Sequence, residues 1–288
     1  MRWTIILAGG DGSRLAGLSR VRYGYPRPKQ FCDFDGCGPL LDRAIARAEP
    51  FSPRERIVLV TQRGHRDDVD EVVRRHPDVR RVELPRARDT APAVIAGMLH
   101  VLALDPAANV LVLPSDHQVA DEALFATSLR RAVTAAHQEP QRIALLGAVP
   151  EAPDDGHGWL VPGTGPSSPV EAFREKPDTT EARILRARGG LVNTQVLAAP
   201  ARTLAAVLTR FCPGWLRTHT WAGQDELKLS AAYDVLPSSS FARDVLAHIA
   251  PMLRLVPVPA EAGWVDIDTP DHLARAGAAP RAFAAGAY

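Results

Sequence analysis

The sequence predicts an α/β fold built on a doubly wound, mostly parallel sheet, and three observations predict it. Short β-rich runs recur along the first half, helical spacings fill the gaps between them, and the run VLVLP at 110–114 is continuously apolar. Strands covered by helices on both faces lose the alternation of a half-solvated sheet, and an alternating strand–helix order is the pattern of crossover units.

The first strand is read at 3–8, and further strands at 56–61, 80–84, 110–114 and 143–148. Leu40, Leu41, Ala44, Ile45 and Ala48 share one helical face. Val94, Ile95, Met98, Leu99 and Leu102 form a second stripe, entered through Thr90 with Pro92 in its first turn, and a third, at 124–136, follows Asp121. From about Glu151 the pattern changes. The stretch 153–169 is crowded with Gly, Pro, Asp and Ser, and 159–161, 170–174 and 191–197 read as strands, with no long crossover helix between the first two. Helical spacing returns at 180–188, 202–211 and 241–249, and a last strand at 253–257 precedes GWVDIDTP and a short helix near His272. With no internal repeat and no low-complexity linker, the expectation is one domain over 1–288, its second half (151–288) built over the strand ends of its first (1–150).

The chain has 288 residues, 46% hydrophobic and 23% charged, which is a globular composition and excludes a disordered tail. Thirty-four basic residues against thirty-three acidic ones leave a formal charge of +1, so no global field favours nucleic acid or an anionic membrane. Any anion is bound locally. Three cysteines, Cys32, Cys37 and Cys212, are too few and odd for a disulfide framework, and Cys32-x4-Cys37 lacks the second pair of a zinc site. No run approaches the ~20 apolar residues of a membrane span, and the apolar stretch at 5–8 is too short for a signal peptide. A soluble cytoplasmic protein is expected.

The strongest local signal is LAGGDGSRL at 7–15. A strand running into Gly9, Gly10 and Gly12 lets successive backbone N–H groups turn inward, a nest that accepts phosphate oxygens. Arg14 and, in RPKQF, Lys29 add charge-assisted contacts. A plain glycine turn is the alternative. The position where the dinucleotide fingerprint needs its third glycine holds Leu15, and the Gly-Lys-Ser/Thr of the P-loop is absent. In LPSDH a buried strand delivers Asp116 to the carboxyl edge of the sheet, where α/β proteins bind ligands, and Asp266 in GWVDID also follows apolar sequence. Two carboxylates plus phosphate oxygens are a cage for Mg²⁺; Asp268 serves there too, or caps the helix opening at Thr269 and Pro270. In FREKPD, Glu175 and Lys176 are adjacent, so on a strand they point to opposite faces, one to a pocket and one to its rim. Asn193, flanked by apolar residues, holds a sugar hydroxyl or bridges two strands.

In order and spacing, LAGGDGSRLAGLSR at 7–20, RPKQF at 27–31, RDTAPA at 88–93, LPSDH at 113–117, FREKPD at 173–178, YDVLPSSSF at 233–241 and GWVDIDTP at 263–270 resemble the sugar nucleotidylyltransferases, and within them the mannose-1-phosphate guanylyltransferases. The resemblance spans nearly the whole chain. It implies a Rossmann-like sheet of the nucleotide-diphospho-sugar transferase type, with a nucleotide-binding first half and a β-rich second half that binds the sugar and completes the metal site. It implies nucleotide contacts from Leu7, Ala8, Gly9, Gly10, Gly12, Ser13, Arg14, Lys29 and Ser115, with base and ribose near Arg88, Thr90, Ala91 and Pro92. Sugar-phosphate contacts fall on Gly158, Glu175, Lys176 and Asn193, and Mg²⁺ on Asp116 and Asp266.

The implied reaction joins an NTP, GTP by resemblance, to a sugar 1-phosphate, mannose 1-phosphate by resemblance, in line at the α-phosphorus, with Arg14, Lys29, Asp116 and Lys176 as its catalytic set. Replacing Lys29 or Asp116 is expected to cost turnover far more than stability. The chain departs from the family pattern at LVNTQV, where an aromatic-Asn-Ser-Gly segment is usual, and at Asp268, where glycine is usual. A sensor that binds a sugar nucleotide without turnover, or a transferase for another base and sugar such as glucose 1-phosphate, are the competing readings. A homodimer is compatible with the sequence, no appended isomerase or β-helix module is expected, and no nucleic-acid or membrane partner is implied.

Overall fold

A computed structural model describes residues 2–164, 169–223 and 225–277. Part of the turn-rich 153–169 stretch and the last residues of the domain expected over 1–288 therefore lie outside the described residues. In the first half, β1 (Arg2–Leu7), α1 (Ala16–Tyr23), α2 (Leu40–Ala48), β2 (Ile57–Gln62), α3 (Arg66–Arg75), β3 (Arg80–Leu84), α4 (Thr90–Leu104), β4 (Asn109–Pro114), β5 (His117–Gln118), α5 (Glu122–Gln138) and β6 (Ile143–Ala148) follow in order. The second half adds β7 (Trp159–Pro162), β8 (Val170–Arg174), α6 (Thr179–Ala187), β9 (Leu191–Pro200), α7 (Ala201–Phe211), α8 (Pro213–Ala222), α9 (Glu226–Val235), α10 (Phe241–Asp244), β10 (Leu253–Val258), β11 (Val265–Asp266) and α11 (Pro270–Arg275).

The main sheet runs β10-β6-β9-β4-β1-β2-β3, with β7 paired to β9 and β8 to β7. β1, β2, β3 and β4 are parallel, as are β6 and β10; β9 lies antiparallel between β4 and β6. One sheet therefore joins the two halves of the chain. β2 and β6 are buried at all six positions, which is why β6 and the first four residues of β2 are continuously apolar. One apolar core packs α4, α7 and α8 against one face, and a second packs α2, α3 and α5 against the other. Each buried Leu, Ile or Val in these layers contributes about 1.5–3 kcal/mol by leaving water.

Three local expectations change. α4 is capped by Asp89, whose carboxylate accepts from Thr90 N–H, so Thr90 is its first residue rather than its entry. The helix read at 241–249 is a four-residue α10 followed by 3₁₀ turns, because Pro251 and the packing of Val245 and Leu246 into the core interrupt a continuous apolar stripe. Thr269, not Asp268, caps α11, its side chain accepting from His272 N–H, which leaves Asp268 to other partners.

Candidate active site

β1 and β4 end side by side, with Leu7 in register with Pro114, so the loops that follow them open at the same carboxyl edge. Buried amides shape the first loop. Gln30 Nε2 donates to the carbonyls of Ala8 (3.0 Å) and Gly10 (2.8 Å), and Gln62 Nε2 donates to that of Gly9 (3.0 Å) and to Asp11. Across a trans peptide the N–H opposes the C=O, so turning these carbonyls inward turns the N–H groups of Gly9, Gly10 and Asp11 outward. A Cβ on Gly9 or Gly10 would meet nothing within 4 Å. Gly12 is constrained instead: φ is +61°, and a Cβ would stand 2.8 Å from Lys29 N.

Lys29 is buried, and its ammonium is ringed by carboxylates: Asp116 at 3.0 Å, Asp266 at 3.7 Å and Asp268 in direct hydrogen bond. Burial opposes the charge, but the three acids overcome it and hold the ammonium above its ordinary range. Removal of Lys29 would strand three acids around a buried centre, so a cost in stability is expected alongside the larger cost in turnover. Asp268 also pairs with the exposed Arg14 at 2.9 Å.

The ribbon of β5 and β11 sets Asp266 opposite His117, and Ile267 N–H donates to the Asp116 carbonyl. Asp116, His117 and Asp266 consequently offer ligand atoms within 4.8 Å of one another. His117 is buried, which keeps it neutral, and its Nδ1 accepts from Trp264 Nε1 at 3.1 Å, so that lone pair is occupied. The carboxylates remain. Asp266 Oδ1 is buried without a hydrogen bond among the described residues. Burial alone would raise the Asp266 carboxyl, but His157 and Lys29 hold it well below the carboxylate range. His157 in turn lies 3.0 Å from Asp154 and 3.4 Å from Asp266, which push its imidazolium up to about 10 against the cost of burial.

Two cavities meet here. The first, of about 280 Å³, lies under the glycine loop and is walled by Leu7, Gly10, Lys29, Leu84, Arg88 and Asp116. The second, of about 320 Å³, is walled by Gly158, Glu175, Lys176, Asn193, Ser240 and Arg243. Asp89, Thr90, Gln195, Asp266 and Asp268 line both.

Glu175 and Lys176 lie beyond the end of β8 and both border the second cavity, Lys176 with φ +46°, so they do not alternate across a strand as expected. A Cβ on Gly158 would come within 2.6 Å of Glu175 Oε2, so the glycine makes room for that carboxylate. The Asn193 backbone N–H donates to the Gly158 carbonyl at 2.7 Å, while its side-chain Oδ1 accepts from Gln195 N–H within β9 at 2.9 Å and the residue borders the second cavity.

Other expected contacts sit further back. Ala8, Ala91, Pro92 and Ser115 are buried, and Ser13 faces a neighbouring depression with Asp11 and His65. Arg88 spends its guanidinium on the carbonyls of Tyr233 (2.7 Å) and Asp234 (3.2 Å), and Thr90 Oγ1 accepts from Phe241 N–H at 2.8 Å, tying 88–90 to the 233–241 stretch. Sequence reasoning did not find Gln30, Gln62, His157 or Gln195. Gln62, a polar residue closing a fully buried strand, carried the one legible signal.

A glycine loop, a buried ammonium and paired acids at the carboxyl edge of a mostly parallel sheet define an α/β protein with a charged cleft at that edge. A model of the family "Nucleotidyl transferase" matches residues 3–279, and the chain belongs to that family. It is 32% identical over 275 residues to "Xanthan biosynthesis protein XanB" of Xanthomonas campestris pv. campestris, covering 91% of this chain and 56% of that protein. It is 29% identical over 286 residues to "Mannose-1-phosphate guanylyltransferase ManC" of Salmonella typhimurium, covering 92% and 57%. The chain thus spans little more than half the length of these curated relatives. The structure described as "mannose-1-phosphate geranyltransferase" from Thermus thermophilus superposes with a TM-score of 0.83 at 28% identity, covering 96% of this chain and 79% of that one. Among the described residues no helix is long and apolar enough to cross a membrane.

Proposed function

We propose that the chain transfers a nucleotidyl group from an NTP to a sugar 1-phosphate, with GTP and mannose 1-phosphate as the pair. The observation that carries this reading is the meeting of two cavities at Asp266 and Asp268, one under the glycine loop and one beside Lys176. The names of the relatives support the choice of base and sugar.

In this reading the outward N–H groups of the glycine loop and Arg14 hold the triphosphate in the first cavity, while Lys176 and Glu175 hold the sugar 1-phosphate in the second. A non-bridging oxygen of the sugar phosphate attacks the α-phosphorus. The new P–O bond forms as the bond to the β-phosphate oxygen breaks, and pyrophosphate carries the electron pair away. The nucleophile is already an anion, so no general base is needed; alignment and neutralisation of two polyanions are the task. Lys29 and Arg14 stabilise charge on the departing pyrophosphate. Asp116 and Asp266 fit Mg²⁺: their oxygens are hard donors, and Asp266 Oδ1 is buried without a hydrogen bond among the described residues. When bound there, the ion supplies further neutralisation at the phosphates.

Arg14 and Lys29 both pair with Asp268, a carboxylate that competes with phosphate for the two cations, and this favours the second reading, a sensor that binds without turnover. Pyrophosphate release from each NTP with a panel of sugar 1-phosphates and Mg²⁺ separates the two. Release with GTP and mannose 1-phosphate is expected; binding of GDP-sugars with no release from any pair identifies the sensor.

A further inference from the structure

We propose that Arg243 binds the phosphate of the sugar 1-phosphate, acting beside Lys176; the proposal rests on the functional reading above. Charge in the second cavity leads to it. The walls carry four acids, Asp89, Glu175, Asp266 and Asp268, against Lys176, Arg243 and His157. His157 is committed to Asp154 and Asp266. Lys29 and Arg14 already pair with Asp266 and Asp268, so Lys176 alone would have to draw a phosphate dianion past Asp89 and Glu175, and Arg243 is the remaining cation on the walls.

Its placement is built rather than incidental. Arg243 Nε donates to Asp244 Oδ1 at 2.7 Å and Nη2 to Oδ2 at 3.2 Å. Asp244 Oδ2 is fixed from the other side by Ser239 Oγ at 3.0 Å and Ser240 N–H at 2.9 Å. The serines of SSSFARD therefore orient the carboxylate that orients the guanidinium, and this pairing engages two of its five N–H donors. A guanidinium offers phosphate a two-pronged contact that an ammonium cannot. Burial pushes the Glu175 carboxyl up, and Lys176 and Arg243 both act against that rise, so the two cations share one field. The backbone agrees: Asp89, Lys176 and Gln195, with φ of +67°, +46° and +58°, all line this cavity, and strained backbone persists where its surroundings hold it for a purpose.

The test compares the full chain with R243Q and R243K, using GTP, Mg²⁺ and mannose 1-phosphate. In R243Q the KM for mannose 1-phosphate should rise about tenfold while that for GTP stays within about twofold, with R243K intermediate. Calorimetric titration with mannose 1-phosphate should weaken by the same factor, and titration with mannose should not change. Ser239→Ala, which loosens Asp244, should raise the same KM by a smaller factor. Unchanged KM and Kd for mannose 1-phosphate in R243Q, or an equal loss for GTP, would overturn the proposal. If the wild-type chain releases no pyrophosphate, the functional reading fails while calorimetry still decides Arg243. Absence of mannose 1-phosphate binding to the wild type overturns the assignment of Arg243 as well.

Discussion

The first cavity lies against a backbone loop that buried neutral amides hold in shape, whereas the second brings the side chains of Glu175, Lys176 and Arg243 to its wall. Gln30 and Gln62 fix the glycine loop by bonding its carbonyls, and the space above Gly9 and Gly10 is left open. Of the three non-glycine residues with positive φ among those described, Lys176 lines only the second cavity, while Asp89 and Gln195 line both. The difference is one of division of labour: a backbone surface suits the invariant geometry of a polyphosphate, and mobile charges suit a ligand whose ring and hydroxyls vary.

The largest effect expected is at the junction. Lys29→Met should lower turnover on the order of 10³-fold, the cost of losing a donor to developing phosphate charge. It should also destabilise the chain by about 3 kcal/mol in chelator, because Asp116, Asp266 and Asp268 lose their common partner. Thermal unfolding with and without Mg²⁺ checks the second claim: part of the lost stability should return with the ion. Equal melting of variant and wild type in chelator would mean the acids do not depend on Lys29.

A pair of glycines breaks or sharpens the contrast next. Gly12→Ala collides with Lys29 N at positive φ and should cost about 1–3 kcal/mol of stability along with activity. Gly10→Ala meets no protein atom within 4 Å, so it should fold almost normally yet weaken GTP binding about tenfold, measured by calorimetry. Normal GTP binding by Gly10→Ala would remove the phosphates from that space.

Acid should loosen the helical layer behind the second cavity. His219 lies 3.0 Å from Tyr233 Oη, and burial pushes its imidazole down to about 4. A depressed pKa contributes stability that is present above the unfolded value of about 6.5 and lost as pH falls toward 4. Urea midpoints measured from pH 7 to 4 should therefore fall, and His219→Phe should flatten the fall. The smallest effect concerns strain: Gln195→Gly should raise stability by about 1 kcal/mol at positive φ, read from urea unfolding. A loss would show that the left-handed turn is not strained.

Much of the fold was legible because burial on both faces writes itself as continuous apolar sequence. The strand at 143–148, buried at all six positions, was read to the residue, and so was the partly exposed edge strand at 80–84. β9 was legible as a strand but not in its antiparallel place between β4 and β6, since pairing partners leave no mark on a fully buried run. α8 and α9 escaped because Trp221 and Leu227 face solvent, blurring the apolar stripe that marks a helix. The chemistry-bearing residues at 9–14, 29, 116, 175–176 and 266 were legible as types, and the structure brings them to one edge. Its scaffolding was not: Gln30 acts through the carbonyls of Ala8 and Gly10 and His157 joins the nearby Asp154 to the distant Asp266, and the conformation of Lys176 depends on packing rather than on its own preference.

The central claim is that two polyanions are joined where the cavities meet. The most direct measurement is ³¹P NMR of the chain with GTP, mannose 1-phosphate and Mg²⁺. The account predicts that the GTP and sugar-phosphate signals fall together while pyrophosphate and a diphosphate ester rise in equal amounts. Unchanged spectra with every NTP and sugar 1-phosphate pair would contradict it.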